Sequence, residues 1–167
     1  MKHKPTLKFG SELADGGALR VSASDARHMF ARSSVASRFL RRLLFSNPDL
    51  LGNREQWFLF LNDSTASERQ IPSIRARIEM VERARQGTKY ERVSAWLTPQ
   101  DVSSSKVLVL PRRTRAHLPF VIGAFFDSAD VVVCHHLAAI EDATDIEFAF
   151  ISSTAFAVWM GAHSLAE

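Results

Sequence analysis

Cysteine is nearly absent: the chain has one, Cys134, which excludes an internal disulfide and any zinc framework built on paired cysteines. Long apolar runs are missing too. No stretch reaches the roughly 18 apolar residues of a membrane span, and the opening "MKHKPTLKFG" lacks the apolar centre of a signal peptide. These absences predict a cytoplasmic chain with no membrane partner. The only paired glycines, in "DGGALR", lack the GxGxxG spacing, and no P-loop, HExxH or nucleophile elbow occurs, so fingerprints for nucleotides, S-adenosylmethionine and the common hydrolases are missing. No Lys stands among the acids from Asp127 to Glu147, which removes the carboxylate-and-lysine signature of a magnesium-dependent nuclease. Past Arg115 there is no Lys or Arg at all.

That last absence exposes a polarity that the net charge of +3 conceals. From Arg20 to Arg115 there are 16 Arg and 2 Lys against 9 acids, whereas residues 116–167 carry 7 acids alone. An Arg-dominated segment suits phosphates and base edges, because the guanidinium is a planar fork of donors. The plainer alternative is a solvated face of paired charges. At 167 residues and 46% hydrophobic composition, the chain can bury one ordinary core.

Ser24 with Asp25 reads as a helix start, and "ARHMFARSSVASRFLRRLL" keeps apolar residues at mostly helical spacing, giving two short helices broken near Ser33 and Ser34. In "FSNPDL", Asp49 and Leu50 replace the second proline and the aromatic of the Asn-Pro-Pro-aromatic loop with which amino-group DNA methyltransferases hold a flipped base. The segment therefore reads as a turn started by Asn47 and fixed by Pro48. "QWFLFLN" reads as a buried strand. Ser67 opens a helical region in which Pro72 takes a first-turn position, Ile71, Ile74, Ile78 and Val81 make the apolar stripe, and Gly87 ends the helix. Arg75, Arg77, Arg83 and Arg85 lie on its other side. The polar stretch from Thr88 to Ser105, anchored by Trp96 and Leu97, has the length of a functional loop. Strands follow in "KVLVL", in "PFVIGAFF" from Pro119 to Phe126, and in "DVVVCHHLAAI" as one bent strand or two. A helix capped by Thr144 or Asp145 closes the chain, with a break at Ser152 and Ser153.

The fold class is α+β, a single domain with N-terminal helices, a small mainly antiparallel sheet and a C-terminal helix. Its parts are a lead-in segment (1–22), a helical part with one strand (23–87), and strands with a loop and the terminal helix (88–167). The first candidate site is the "RRTRAH" loop between two strands, since arginines on such a loop can enter a major groove and donate in pairs to guanine O6 and N7. Cys134, His135 and His136 are metal-ligating residue types. On a strand, neighbours face opposite sides, so the three converge only if the chain turns there.

Five segments, in order, resemble the target-recognition region of the MmeI-type restriction-modification enzymes, which combine an endonuclease, an adenine-N6 methyltransferase and a DNA-reading domain in one chain. "FGSELADGGALRVS" is similar to the family's Phe-Gly and Asp-Gly-Gly segment through Phe9, Gly10, Asp15, Gly16 and Gly17. "RFLRRLLFSNPDLLGNREQWFLFLND" resembles its next block at Phe39, Arg41, Gly52, Trp57, Leu59 and Leu61. "IPSIRARIEMVERAR" stands at its proline-initiated helix, and "VLVLPRRTRAHLPFVIGAFF" at its strand, variable Arg-rich loop and strand. "AAIEDATDIEFAFISSTAFAVWM" is similar to its closing block at Asp142, Ala143, Thr144, Phe148, Ser153 and Trp159. The loop is shorter here than is usual in the family, His117 stands where Tyr is common, and Arg42 where Pro is frequent.

The resemblance implies a double-stranded DNA target-recognition domain without chemistry of its own. Its implied base contacts are Arg112, Arg113, Thr114, Arg115, His117, His135 and His136. Implied phosphate contacts are Arg41, Arg42, Lys89, Arg92 and Lys106. No catalytic residue, metal ligand or cofactor site is expected in the chain, S-adenosylmethionine being expected in a separate catalytic domain. The alternative is a protein-interaction module docking through its acidic C-terminal third onto a separate methyltransferase chain.

Overall fold

The computed structural model describes residues 4–32, 35–98, 104–113 and 120–164, with side chains as far as residue 159. Among these residues the strands form two four-stranded sheets, where one small sheet was expected. The first sheet holds β1 (Thr6–Phe9), β8 (Leu137–Glu141), β5 (Lys106–Pro111) and β6 (Ala124–Asp127) in that spatial order, all antiparallel. The second holds β2 (Arg20–Ser22), β4 (Gln56–Leu59), β3 (Leu40–Leu44) and β7 (Val131–Val133). Its β3 and β7 run parallel, with Leu43 beside Val132.

The helices follow their sequence signals closely. Helix α1 (Ala23–Ala31) starts two residues before Ser24–Asp25 would place it, because Ser22 is the cap that accepts from the Asp25 N–H. Helix α3 (Pro72–Arg85) begins on Pro72, buries Ile74, Ile78 and Val81, and is followed at Gly87 by a positive φ of 71°. Its arginines are not all solvated. Arg77 donates to the Ala18 and Arg20 carbonyls, and Arg85 is buried, donating to the carbonyls of Ala14, Val93, Ser94 and Leu97. The long loop is thus tied to the helix end by Arg85, while Trp96 packs against the core and Leu97 contributes its carbonyl. Helices α4 (Asp145–Ile151) and α5 (Thr154–Ser164) break at Ser152 and Ser153 as expected, and Thr144 caps α4 in a capping box with Glu147.

The segment "RFLRRLL" departs from the helical reading. It ends a 3-10 turn (Val35–Phe39) and becomes β3, because Leu40 and Arg42 find register partners in Leu59 and Trp57 while β7 pairs along the other edge. Between β3 and β4 lies one helical turn, α2 (Asn47–Leu50). Residues 23–87 therefore carry two strands, β3 and β4, instead of one. "PFVIGAFF" forms a strand only from Ala124, and "DVVVCHHLAAI" splits into β7 and β8.

The split of β7 from β8 joins the two sheets. Strand β7 lies in the second sheet and β8 in the first, so the turn between them crosses from one to the other. Leu44, Leu50, Val107, Val109, Val131, Val133, Leu137 and Ala139 make a core cluster drawn from both sheets. A larger cluster under β2, β4 and β3 includes the fully buried Leu19, Phe58, Leu61, Ile74 and Val81. Each such side chain contributes about 1.5–3 kcal/mol relative to exposure.

Residues after β1 brace the crossing. Gly10 N–H donates to the Leu137 carbonyl at 3.0 Å, Ser11 N–H to the Val133 carbonyl at 2.8 Å, and His135 N–H to the Ser11 carbonyl at 2.9 Å. A Cβ on Gly10 would overlap the Cys134 carbonyl and come within 2.7 Å of the Val133 oxygen. Gly10→Ala should therefore lower stability by at least about 2 kcal/mol in urea unfolding, since backbone on both sides has no room to give. A change below about 0.5 kcal/mol would show that the brace is dispensable.

Candidate functional site

Three segments converge on one open groove of about 600 Å³ at this crossing. The second sheet supplies Phe45, Ser46 and Asn47, at the end of β3 and the start of α2. The first supplies Pro111, Arg112 and Arg113 at the end of β5, and the β7–β8 turn supplies His135, His136 and Leu137. A neighbouring hollow of about 350 Å³, lined by Glu12, Asp15, Gly16, Arg20 and Cys134, shares Phe45 and His135 with it.

Backbone bonds fix the turn: Leu137 N–H donates to the Cys134 carbonyl at 2.9 Å, and Arg112 N–H to the His136 carbonyl at 3.3 Å. The Arg112 guanidinium reinforces this by donating to the His135 carbonyl at 3.0 Å, and it lies 4.3 Å from the centroid of the Phe9 ring. The two imidazoles lie 4.0 Å apart between centroids, tilted by 40°. His136 meets the Phe45 ring edge-on at 4.8 Å, and the Arg20 guanidinium sits 5.0 Å from the same ring. Phe45 and the two imidazoles thus share the groove with Arg112, and Arg20 approaches the same Phe45 ring from the adjoining hollow.

Arg112, Arg113, His135 and His136 are brought together here, from two stretches more than twenty residues apart in sequence. Thr114, Arg115 and His117 lie outside the described residues. Phe45, Ser46, Asn47 and Arg20 line the same hollows without having been singled out as contacts. "FSNPDL" carried only a turn signal, and Arg20 was one of many arginines. Asp49, buried, holds that turn in place by accepting from the N–H groups of Phe45 and Ser46, from the Ser46 hydroxyl and from Arg54.

The turn also brings Cys134, His135 and His136 closer than strand geometry allowed, with their ligand atoms within 4.8 Å of one another. Yet the thiol is buried, desolvation holds its pKa up, and Sγ already lies 3.4 Å from His135 Nδ1. With Arg112 beside the imidazoles and Arg20 near the thiol, the local field suits an anion better than a dication.

The five phosphate candidates are dispersed. Arg41 is half-buried, pairs with Asp63 at 3.1 Å and lies 3.7 Å over the Phe60 ring, so much of its charge serves the fold. Desolvation lowers its pKa. Arg42 donates to the Asp49 carbonyl. Lys89 pairs with Glu12 at 2.8 Å, and that pairing holds the Glu12 carboxyl below its ordinary range. Arg92 is exposed within the long loop. Lys106 is exposed at the start of β5, about 17 Å along the strand from Pro111.

His136 is exposed, and partial desolvation by its neighbours holds its pKa below the ordinary histidine value, with His135 and Arg112 acting in the same direction. The unfolded chain then takes the proton more readily, so stability is lost as pH falls through the ordinary histidine range and is unaffected above it. An NMR titration should place His136 below a free histidine, and Phe45→Ala, which removes the ring packed on its edge, should move it upward. No upward movement would remove Phe45 as the desolvating neighbour.

Residues 1–164 match a family model described as MmeI, target recognition domain. Among solved structures, the Type IIL restriction-modification enzyme MmeI in complex with DNA is similar, with a TM-score of 0.81 and 22% identity over 95% of this chain. The match spans 22% of that enzyme's chain. No curated protein matches.

Proposed function

The chain belongs to the family of MmeI target recognition domains, and we propose that it reads double-stranded DNA for a restriction-modification enzyme. One observation carries the reading: the Arg-rich strand end and the histidine turn share one groove with the Phe45 ring and the β3–α2 turn. Arg113 is exposed on that groove, and paired donors of this kind fit guanine O6 and N7. Arg112 reads beside it while bracing the turn. His135 and His136 contact bases from the second segment, and Thr114, Arg115 and His117 continue the same reading loop in sequence.

Arg92, Lys89, Lys106, Arg41 and Arg42 supply phosphate contacts in this reading, the exposed Arg92 being the readiest because Arg41, Arg42 and Lys89 already have protein partners and the Lys106 ammonium lies over the Phe125 ring. The chemistry belongs to another part of the enzyme, an adenine-N6 methyltransferase using S-adenosylmethionine. Gly16 and Gly17 precede β2 and do not link a strand to a helix, so they do not fit that cofactor. The enzyme would act in the cytoplasm, and among the described residues no helix is long and apolar enough to cross a membrane.

The methyltransferase domain or chain docks on the C-terminal helices in this account. There Ile146, Phe150, Val158 and Trp159 are 79%, 62%, 66% and 53% exposed, within the third of the sequence that has no Lys or Arg. Acids there would repel phosphates, so this face suits protein better than DNA. If docking were the whole function, a methyltransferase chain would be captured without DNA, and the groove would show no salt-dependent affinity.

Fluorescence anisotropy on duplex DNA across a salt series tests the reading. Affinity should fall steeply with salt, and Arg113→Ala should cost about 1–3 kcal/mol on a selected cognate site and little on random duplex. Equal losses on both DNAs would make Arg113 a phosphate contact only. Lowering pH through the histidine range should tighten binding, because an anionic partner raises the imidazole pKa and the complex takes up protons. Replacing both histidines with Ala should flatten that dependence, and an unchanged dependence would place the titrating groups elsewhere.

A further inference from the structure

The β3–α2 connection is the one wall of the groove that the sequence did not assign to recognition, and its backbone is unusually fixed for a surface turn. Ser46 caps α2, Pro48 restricts the next φ, and buried Asp49 accepts the Phe45 and Ser46 N–H groups at 3.1 and 2.7 Å. Leu51 N–H closes the turn on the Asn47 carbonyl at 3.1 Å. An Asn at a turn commonly folds back to cap its own backbone. Ser46 and Asp49 have taken that role, so the half-buried Asn47 carboxamide is left with no hydrogen-bond partner among the described residues while it lines the groove.

The topology sets that side chain across the histidine turn from the arginines. Phe45–Asn47 ends the strand beside β7, Pro111–Arg113 ends the strand beside β8, and the turn from β7 to β8 lies between them. We propose that Asn47 is a second base-reading residue, matched to adenine, on the wall opposite Arg112 and Arg113. Its carboxamide carries one acceptor and one pair of donors, the complement of adenine N6 and N7 in the major groove. A guanidinium has donors only and favours guanine. The two walls together read a purine of each kind, from side chains held on rigid supports.

The inference rests on the DNA-reading proposal above, and one experiment separates the two. Duplexes retained from a random library are sequenced for the wild-type chain, Asn47→Ala, Asn47→Asp and Arg113→Ala, with thermal unfolding of each in parallel. Wild type should enrich a motif in which one position is adenine. Asn47→Ala and Asn47→Asp should each lose roughly 10-fold in preference at that position and keep the others. Their unfolding temperatures should stay near wild type, because the caps belong to Ser46 and Asp49. A motif unchanged in both Asn47 variants but altered in Arg113→Ala would overturn the role of Asn47 and leave the reading standing. No enriched motif from wild type would overturn both.

Discussion

The approach of Gly10 to the backbone of Cys134 is the constraint on which the rest of the structure depends. A chain with two small sheets must hold them in a fixed relation, and here a three-residue connection between β7 and β8 makes the crossing. That turn is too short to be rigid alone. Hydrogen bonds from Gly10, Ser11 and His135 fasten it to the end of β1, and only a residue without a Cβ lets the strands come this close. Once the crossing is set, the ends of β3 and β5 fall on either side of it, and the groove follows from the topology.

Most of the chain's arginine is spent inside this framework. Arg85 satisfies four carbonyls of the loop and lead-in segment, Arg77 ties α3 to the residues before β2, and Arg42 closes α2 onto β3. The large positive charge between Arg20 and Arg115 is therefore a poor map of the binding surface. What remains toward the groove is a smaller set: Arg20 over Phe45, Arg112 over Phe9, and Arg113 exposed on the groove. A few cations on aromatic supports define direction better than a diffuse field does, and direction is what base reading needs.

The helices were legible because their signals are local. Pro72 with the Ile74, Ile78 and Val81 stripe marks α3, and Thr144 with Glu147 marks α4, without any reference to distant residues. Strand β3 was not legible, because Phe39, Leu40, Leu43 and Leu44 satisfy helical spacing while their strand state depends on β4 and β7. Strands β1 and β2 are short and alternate weakly, and both take their partners from much later in the chain. Half of the candidate site was readable as composition: arginines between strands, and a pair of histidines. The other half, Phe45 to Asn47, is invisible until the β7–β8 turn brings it alongside, since nothing in "FSNPDL" distinguishes a supported reading turn from an ordinary one.

The central claim is that the groove at the sheet crossing is the surface that meets DNA. Backbone and side-chain NMR shifts of the chain, followed while duplex DNA is added, test it most directly. The expected result is that the largest changes fall on Phe45 to Asn47, Arg112, Arg113, His135 and His136, with Val158 and Trp159 on the C-terminal helix unchanged. Changes concentrated on that helix or at Lys106, with the groove residues still, would contradict the account.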